Sequence, residues 1–360
     1  MKNKILLILV IILLGCLTPS IYRHGFDEND VFSPMPYYVE WQEKPKANAL
    51  FPPGYNYKIY SKFLNESYAS YWNAMKIYIK NIGNTKIFVY NFEVDMDGII
   101  YKQWDGKHGV EIDIGENKSF IVSFRPISLG IHEYKLGVYI MASKNRGRWY
   151  DYGIQSIGKY EVNVIGYEPS THYKFHKNYY VYFDKIKKLV DPYDSIIVQT
   201  ANKASSGYGS GYNIAKVCAI FDYIKSNVKY VEDPEGKDMW NSPSTALSEG
   251  GDCEEFAMIM AAMVIEQGGT ARIYLTDNHA FAAIYIGKDL SILNCIDSYY
   301  HANLSYALFE DKFGYWIVAD TLSSFYLGGL PVGGYPTEKG KKIYEWSIET
   351  NRLYAIDVVE

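Results

Sequence analysis

The stretch "GGDCEEFAMIMAAMVIEQGG" constrains this chain more than any other. From Met258 to Ile265 every residue is apolar, so a helix through it has no side suited to water and must be enclosed by other elements. Its limits are readable. Asp252 suits the N-cap, Glu254 and Glu255 fall in the first turn where carboxylates favour the helix dipole, and Gly268-Gly269 supplies the stop. Cys253 is then the first helical residue, on the side of Phe256, Ala257 and Met260.

A cysteine at that point has two readings. Free cysteines are mostly small core hydrophobes. A helix N-terminus also stabilises a thiolate, by about 0.3–1 kcal/mol and at most about 2; at about 1.4 kcal/mol per pKa unit this gives no more than about one and a half units. Asp252, Glu254 and Glu255 push the other way, so a nucleophilic Cys253 requires an imidazolium partner. Of the seven histidines, His279 opens the strand-like run "HAFAAIYIG", and Asp320 closes "GYWIVAD". If these strands are antiparallel neighbours, His279 lies beside Asp320, the geometry of a base and its orienter.

The span "YIKSNVKYVEDPEGKDMWNSPSTALSEGGDCEEFAMIMAAMVIEQGGTARIYLTDNHAFAAIYIG", followed by "GYWIVADT", resembles the transglutaminase-like superfamily of papain-type cysteine enzymes over about residues 175–330. A GDC block opening the central helix, a G-x-x-A-R link, an H-A-aromatic block and a W-x-x-x-D block occur in that order. The resemblance implies a catalytic triad of Cys253, His279 and Asp320. It departs from the family at Phe281, where tryptophan is common, and in the 41-residue step from His279 to Asp320, which carries the insertion "SYYHANLSYALFEDKFG". In the implied chemistry His279 takes the thiol proton, Asp320 holds the ring, and Cys253 attacks a carboxamide or peptide carbonyl to form a thioester that water or an amine resolves. Candidate oxyanion donors are the Cys253 backbone N–H with Trp240 Nε1 or Asn241.

Periodicity divides the chain. Residues 1–21 carry two lysines and then an apolar run from Ile5 to Leu17, thirteen residues against the about 20 of a bilayer span. This reads as an export signal or anchor. Leu13-Leu14-Gly15-Cys16 resembles a lipobox, which makes Cys16 a candidate for lipidation; an uncleaved anchor is the alternative. Residues 22–70, rich in Pro, Asn and Tyr, read as a stalk. Between 71 and 166 the period becomes two, with Met75, Ile77 and Ile79 facing one way and Lys76, Tyr78 and Lys80 the other. Turns at Gly83-Asn84 and Asp97-Gly98 separate the strands. The expectation is an immunoglobulin-like β-sandwich, with "LGIHEYKLGVYI" resembling a late strand that carries a tyrosine corner.

Residues 167–360 read as helices followed by strand-like runs that include "SILNCID", hence an α+β domain; the tail from Thr321 has no clear assignment. The expected fold class is therefore an α+β papain/transglutaminase-like catalytic domain, preceded by an all-β immunoglobulin-like sandwich and an N-terminal apolar membrane segment.

A net charge of −5, with lysines and acids interspersed, gives no footprint of a nucleic-acid binder. Cys218, Cys253 and Cys295 are too few and too scattered for a disulfide framework. "SSGYGSGYNIAK" lacks the GK[ST] of a phosphate loop and reads as an entry capped by Asn213. The pair His172 and His176 lacks an accompanying acid motif, and "DMDG" reads as a turn, so no metal or other cofactor is expected. The expected function is a membrane-tethered, extracytoplasmic cysteine hydrolase acting on a polypeptide or cell-wall peptide. The rival is a non-catalytic surface binding or adhesion protein on a papain-like scaffold.

Overall fold

The computed structural model describes residues 25–62, 66–144, 147–166, 174–177, 179–337 and 342–358. Ten strands precede residue 166: β1 Gln42–Glu43, β2 Tyr57–Lys62, β3 Glu66–Tyr68, β4 Asn73–Asn81, β5 Ile87–Met96, β6 Ile99–Lys102, β7 His108–Ile112, β8 Asn117–Phe124, β9 Gly130–Lys144 and β10 Arg148–Ile165. One sheet runs β2-β4-β8 and the other β1-β7-β5-β9-β10-β3, with β6 returning on β5. The alternating apolar positions meet between them. Met75, Ile77, Ile79 and Val122 of the first sheet share a core with Val89, Phe92, Val138 and Ile140 of the second, which makes a β-sandwich.

The β5–β6 hairpin turns on Asp97 and Gly98, both at positive φ (52° and 81°), as an Asp-Gly turn requires. The tyrosine-corner expectation is not met. The Tyr134 hydroxyl is buried without a hydrogen-bond partner among the described residues, because its ring is stacked inward against Phe124.

The segment assigned to a stalk is instead packed along the length of the molecule. Phe26 N–H donates to Asp357 Oδ2 (3.1 Å), Phe32 N–H to Thr270 Oγ1 (2.9 Å) and Val39 N–H to Ser298 Oγ (3.1 Å), while β1, β2 and β3 join the sandwich sheets. Backbone pairing, which composition does not reveal, fixes this segment. Cys16 and the apolar run of residues 1–21 lie outside the described residues; among those described, no helix is long and apolar enough to cross a membrane.

The second half contains α1 Tyr180–Leu189, α2 Ser195–Ala204, α3 Ile214–Asn227, α4 Pro243–Glu249, α5 Cys253–Glu266 and α6 Ile292–Tyr300. Its strands are β11 Lys174–Lys177, β12 Ala271–Leu275, β13 Ala280–Gly287, β14 Leu308–Asp311, β15 Gly314–Ala319, β16 Gly334–Pro336, β17 Trp346–Ile348 and β18 Arg352–Asp357. The sheet order β11-β18-β12-β13-β15-β14 is antiparallel apart from the parallel β11–β18 pair. Helix α5 lies on this sheet and is flanked by α2, α3 and α4, so Met258 to Val264 are fully buried. The opposite face of the sheet carries its own cluster, including Tyr274, Phe281, Trp316 and Leu353.

"SILNCID", expected as a strand, is helical. Ile292, Leu293, Cys295 and Ile296 are buried at three- and four-residue spacing, a pattern that so short an apolar run shares with a buried strand. Cys218 and Cys295 are buried free thiols. Asn213 caps α3, its Oδ1 accepting from Lys216 N–H (3.2 Å).

The polar side of β4 becomes the domain junction. Lys76 is 4% exposed and faces Asp222 of α3 at 3.6 Å, Ala74 and Ile121 join the core around α5, and Trp104 Nε1 donates to the His301 carbonyl (2.9 Å). Because Met260 is enclosed on every side, Met260→Ala should lower unfolding free energy by about 2–5 kcal/mol in urea titrations; a change below about 1 kcal/mol would contradict the central place of α5.

Candidate functional site

Three elements converge at one end of the sheet. The first residue of α5 is Cys253, preceded by Asp252 at the N-cap. Glu255 braces this end with both oxygens: Oε2 accepts from Asp252 N–H (3.0 Å) and Oε1 from Asn241 N–H (2.7 Å). With the Asp252 side chain accepting from the Glu255 backbone in return, this is a capping box with a second loop tied to it. The turn Thr276–His279 is closed by Thr276 N–H donating to the His279 carbonyl (2.8 Å), which fixes the histidine where β13 begins. The β13–β15 register pairs Ala282 with Ala319, so Asp320 comes level with Phe281, one diagonal step from His279.

Across that diagonal His279 Nε2 meets Asp320 Oδ2 at 2.8 Å, with both side chains buried. Asp320 is clamped further. Its Oδ2 accepts from Val332 N–H (2.9 Å) and its Oδ1 from Leu322 N–H (3.0 Å) and Ser323 N–H (3.3 Å). Burial alone would raise this carboxyl, but the hydrogen bonds and charge of His279, with the backbone donors, outweigh it and hold Asp320 below the usual carboxylate range. With Nε2 committed to Asp320, Nδ1 is the ring nitrogen left for the cleft.

Cys253 and His279 line the same cleft of about 420 Å³, and the Ala280 N–H approaches the sulfur. The thiol itself donates to Glu254 Oε2 at 3.2 Å. Burial first, then the charge and hydrogen bond of Glu254 and the charge of Asp252, push this thiol well up. Glu254 is also pushed up, by burial and by its neighbour Asp252, toward the neutral acid. Of the three carboxylates expected to oppose ionisation of Cys253, Glu254 acts most strongly and Asp252 next, while Glu255 is turned to the N-cap and the Asn241 loop.

The oxyanion candidates separate. Trp240 lines the cleft, but its Nε1 donates to Asp238 Oδ1 (2.6 Å) and its ring stacks on Tyr182 at 5.9 Å. Asn241 does not line the cleft; its backbone N–H is spent on Glu255. His172 lies outside the described residues, and His176 is exposed on β11 with its ring against Tyr354.

Several contributors were not anticipated. Tyr179, Tyr182 and Tyr354 form an aromatic wall, and Arg352 Nε holds Asp277 Oδ1 at 2.7 Å beside the His279 turn. Lys225 Nζ donates to the Thr321 carbonyl (2.8 Å) next to Asp320. Arg352 and Tyr354 come from the unassigned tail, and only the insertion of β18 into the sheet brings them here.

Residues 198–321 match the family model of the transglutaminase-like superfamily. They form a transglutaminase-like domain. No curated protein matches the chain. Among solved structures, the CARDB domain of a Pyrococcus furiosus protein, crystallised with di-metal ions, is 14% identical, with 34% of this chain and 100% of that chain covered at a TM-score of 0.22. AggA, the major subunit of aggregative adherence fimbriae type I from Escherichia coli, is 7% identical, with 33% and 100% covered at a TM-score of 0.23. The matched segment of the transglutaminase-like domain holds Cys253, His279 and Asp320, while Val332 and β18, which brace them, lie beyond it.

Two outcomes follow from the electrostatics. Glu254→Gln should lower the Cys253 thiol pKa and speed its alkylation by iodoacetamide at pH 8, followed by peptide mass mapping; an unchanged rate would show that burial alone sets the thiol. Asp320, depressed in the folded state, contributes stability that is present above its unfolded value of about 3.9 and is lost as pH falls through the folded one. Acid unfolding of Asp320→Asn should accordingly be shallower below about pH 4 than that of the parent, as read by circular dichroism.

Proposed function

We propose that the transglutaminase-like domain is a cysteine hydrolase acting on peptide or carboxamide bonds through a thioester. The observation that carries this reading is the clamped His279–Asp320 pair opening onto the cleft that holds Cys253. A histidine used only for packing does not need an aspartate held by three backbone donors.

In the proposed cycle the thiol turns from Glu254 to His279 Nδ1 and gives up its proton. The sulfur then attacks the carbonyl carbon, a C–S bond forms, and the C–N bond breaks as the imidazolium protonates the departing amine. Water next loses a proton to His279 and adds to the thioester, releasing the acid and restoring the thiol. Asp320 keeps Nε2 protonated and stabilises the imidazolium throughout. The oxyanion is received by the Cys253 backbone N–H at the start of α5, with Trp240 Nε1 joining once it leaves Asp238. Hydrolysis is favoured over amine transfer because water is available in an open cleft, whereas transfer requires its exclusion.

The rival reading, a non-catalytic surface binding protein, draws on the bond between the thiol and Glu254 and on the raised thiol. Selective labelling decides between them. At pH 6–7 Cys253 should react faster than Cys218 and Cys295, and the excess should vanish in His279→Ala. Equal labelling of all three thiols would favour binding. With a library of peptide amides, Cys253→Ala should abolish amine release and Asp320→Ala should reduce it by about 10²–10⁴-fold.

We further propose that residues 1–21 tether the protein to the outer face of a membrane, through lipidated Cys16 or a retained anchor. The apolar run supports this, and the mass of the membrane-extracted protein separates the two forms.

A further inference from the structure

We propose that the cleft beside Cys253 receives the cationic side chain of a lysine or arginine carried by the acyl-donor peptide, held between the rings of Tyr182, Trp240 and Tyr354 and the carboxylates of Asp233, Asp238 and Asp252. The assignment rests on Cys253 being the nucleophile.

The rings lie in partial register: Tyr182 and Trp240 are stacked at 5.9 Å and 22°, and Tyr182 and Tyr354 lie 6.4 Å apart. Such a wall presents negative ring faces to a cation. The aromatic and carboxylate groups already hold one ammonium between them: Lys185 Nζ sits 4.2 Å over the Trp240 ring and 3.6 Å from Asp238 Oδ2, with the Lys185 side chain 34% exposed. Farther in, one oxygen from each of Asp233, Asp238 and Glu254 falls within a 4.8 Å cluster, and Asp252, the Cys253 sulfur and Glu254 form a second one. The Asp252 side chain accepts from the Glu255 N–H and meets Glu254, while its Oδ1 is buried with no hydrogen-bond partner among the described residues.

Arg352 is committed to Asp277, and Lys237, the other cation lining the cleft, stands against the carboxylates of Asp233, Asp238 and Asp252. An acidic side chain entering the cleft would meet carboxylates on one wall and ring faces on the other. A basic one is attracted by both. It also offsets the negative field that disfavours the thiolate, so binding of the right substrate prepares the nucleophile.

The test uses the full chain in EDTA, which keeps divalent cations off the carboxylates, and three peptidyl chloromethyl ketones that differ only in having arginine, citrulline or glutamate beside the electrophilic carbon. The readout is the rate of Cys253 modification. Arginine should exceed isosteric citrulline by about ten-fold at low salt, and glutamate should be slowest. The preference should shrink in 0.5 M salt and fall in both Tyr354→Leu and Asp233→Asn. Equal rates for arginine and citrulline on the unaltered protein overturn the proposal, while leaving the nucleophile reading intact if all three reagents still depend on His279. Loss of selective Cys253 modification by every reagent removes the nucleophile reading itself. If free agmatine alters all three rates alike while they remain equal to one another, the cleft takes a free amine, and the donor side-chain assignment is overturned.

Discussion

Burial of α5 on all sides is the constraint from which the rest follows. A helix without a polar face needs a sheet beneath it and helices around it, and β12, β13, α2, α3 and α4 meet that demand. The same enclosure fixes the helix end to within a residue, because Glu255 bonds both the N-cap and the Asn241 loop. Cys253 is thus held rigidly without being sealed in, and its sulfur opens on the cleft.

The electrostatics around that sulfur work in two directions. Asp320 is given four acceptor contacts that keep it ionised, and its bond to Nε2 orients the His279 ring. Glu254 and Asp252 oppose ionisation of the thiol itself. The helix dipole, at most about 2 kcal/mol, does not overcome burial and two acids by itself. The site therefore pairs an oriented imidazole with a restrained thiol, and in the proposed reading the balance passes to whatever enters the cleft.

Much of this was legible in the residues. The central helix and its caps, the pairing of His279 with Asp320 across two strands, and the two-period strands of the sandwich all rest on local patterns that survive folding unchanged. What was illegible depends on long-range pairing. The proline-rich segment before residue 71 carries its structure in backbone bonds to distant partners such as Thr270 and Ser298. The helix Ile292–Tyr300 was ambiguous because seven apolar-rich residues satisfy either period. Lys76, on the polar side of its strand, looked solvent-facing until Asp222 of another domain covered it. Tyr354 and Arg352 reach the cleft only because their strand is inserted between two others.

That insertion has a consequence for how the chain matures. Strand β18 lies between β11 and β12, so the edge strand β11 joins the rest of the sheet only through β18. On the ribosome, the sheet remains split until residue 357 has emerged, and Asp277 waits for Arg352 until then. A nascent chain with Cys253, His279 and Asp320 already translated still lacks its assembled cleft until β18 has been made and paired.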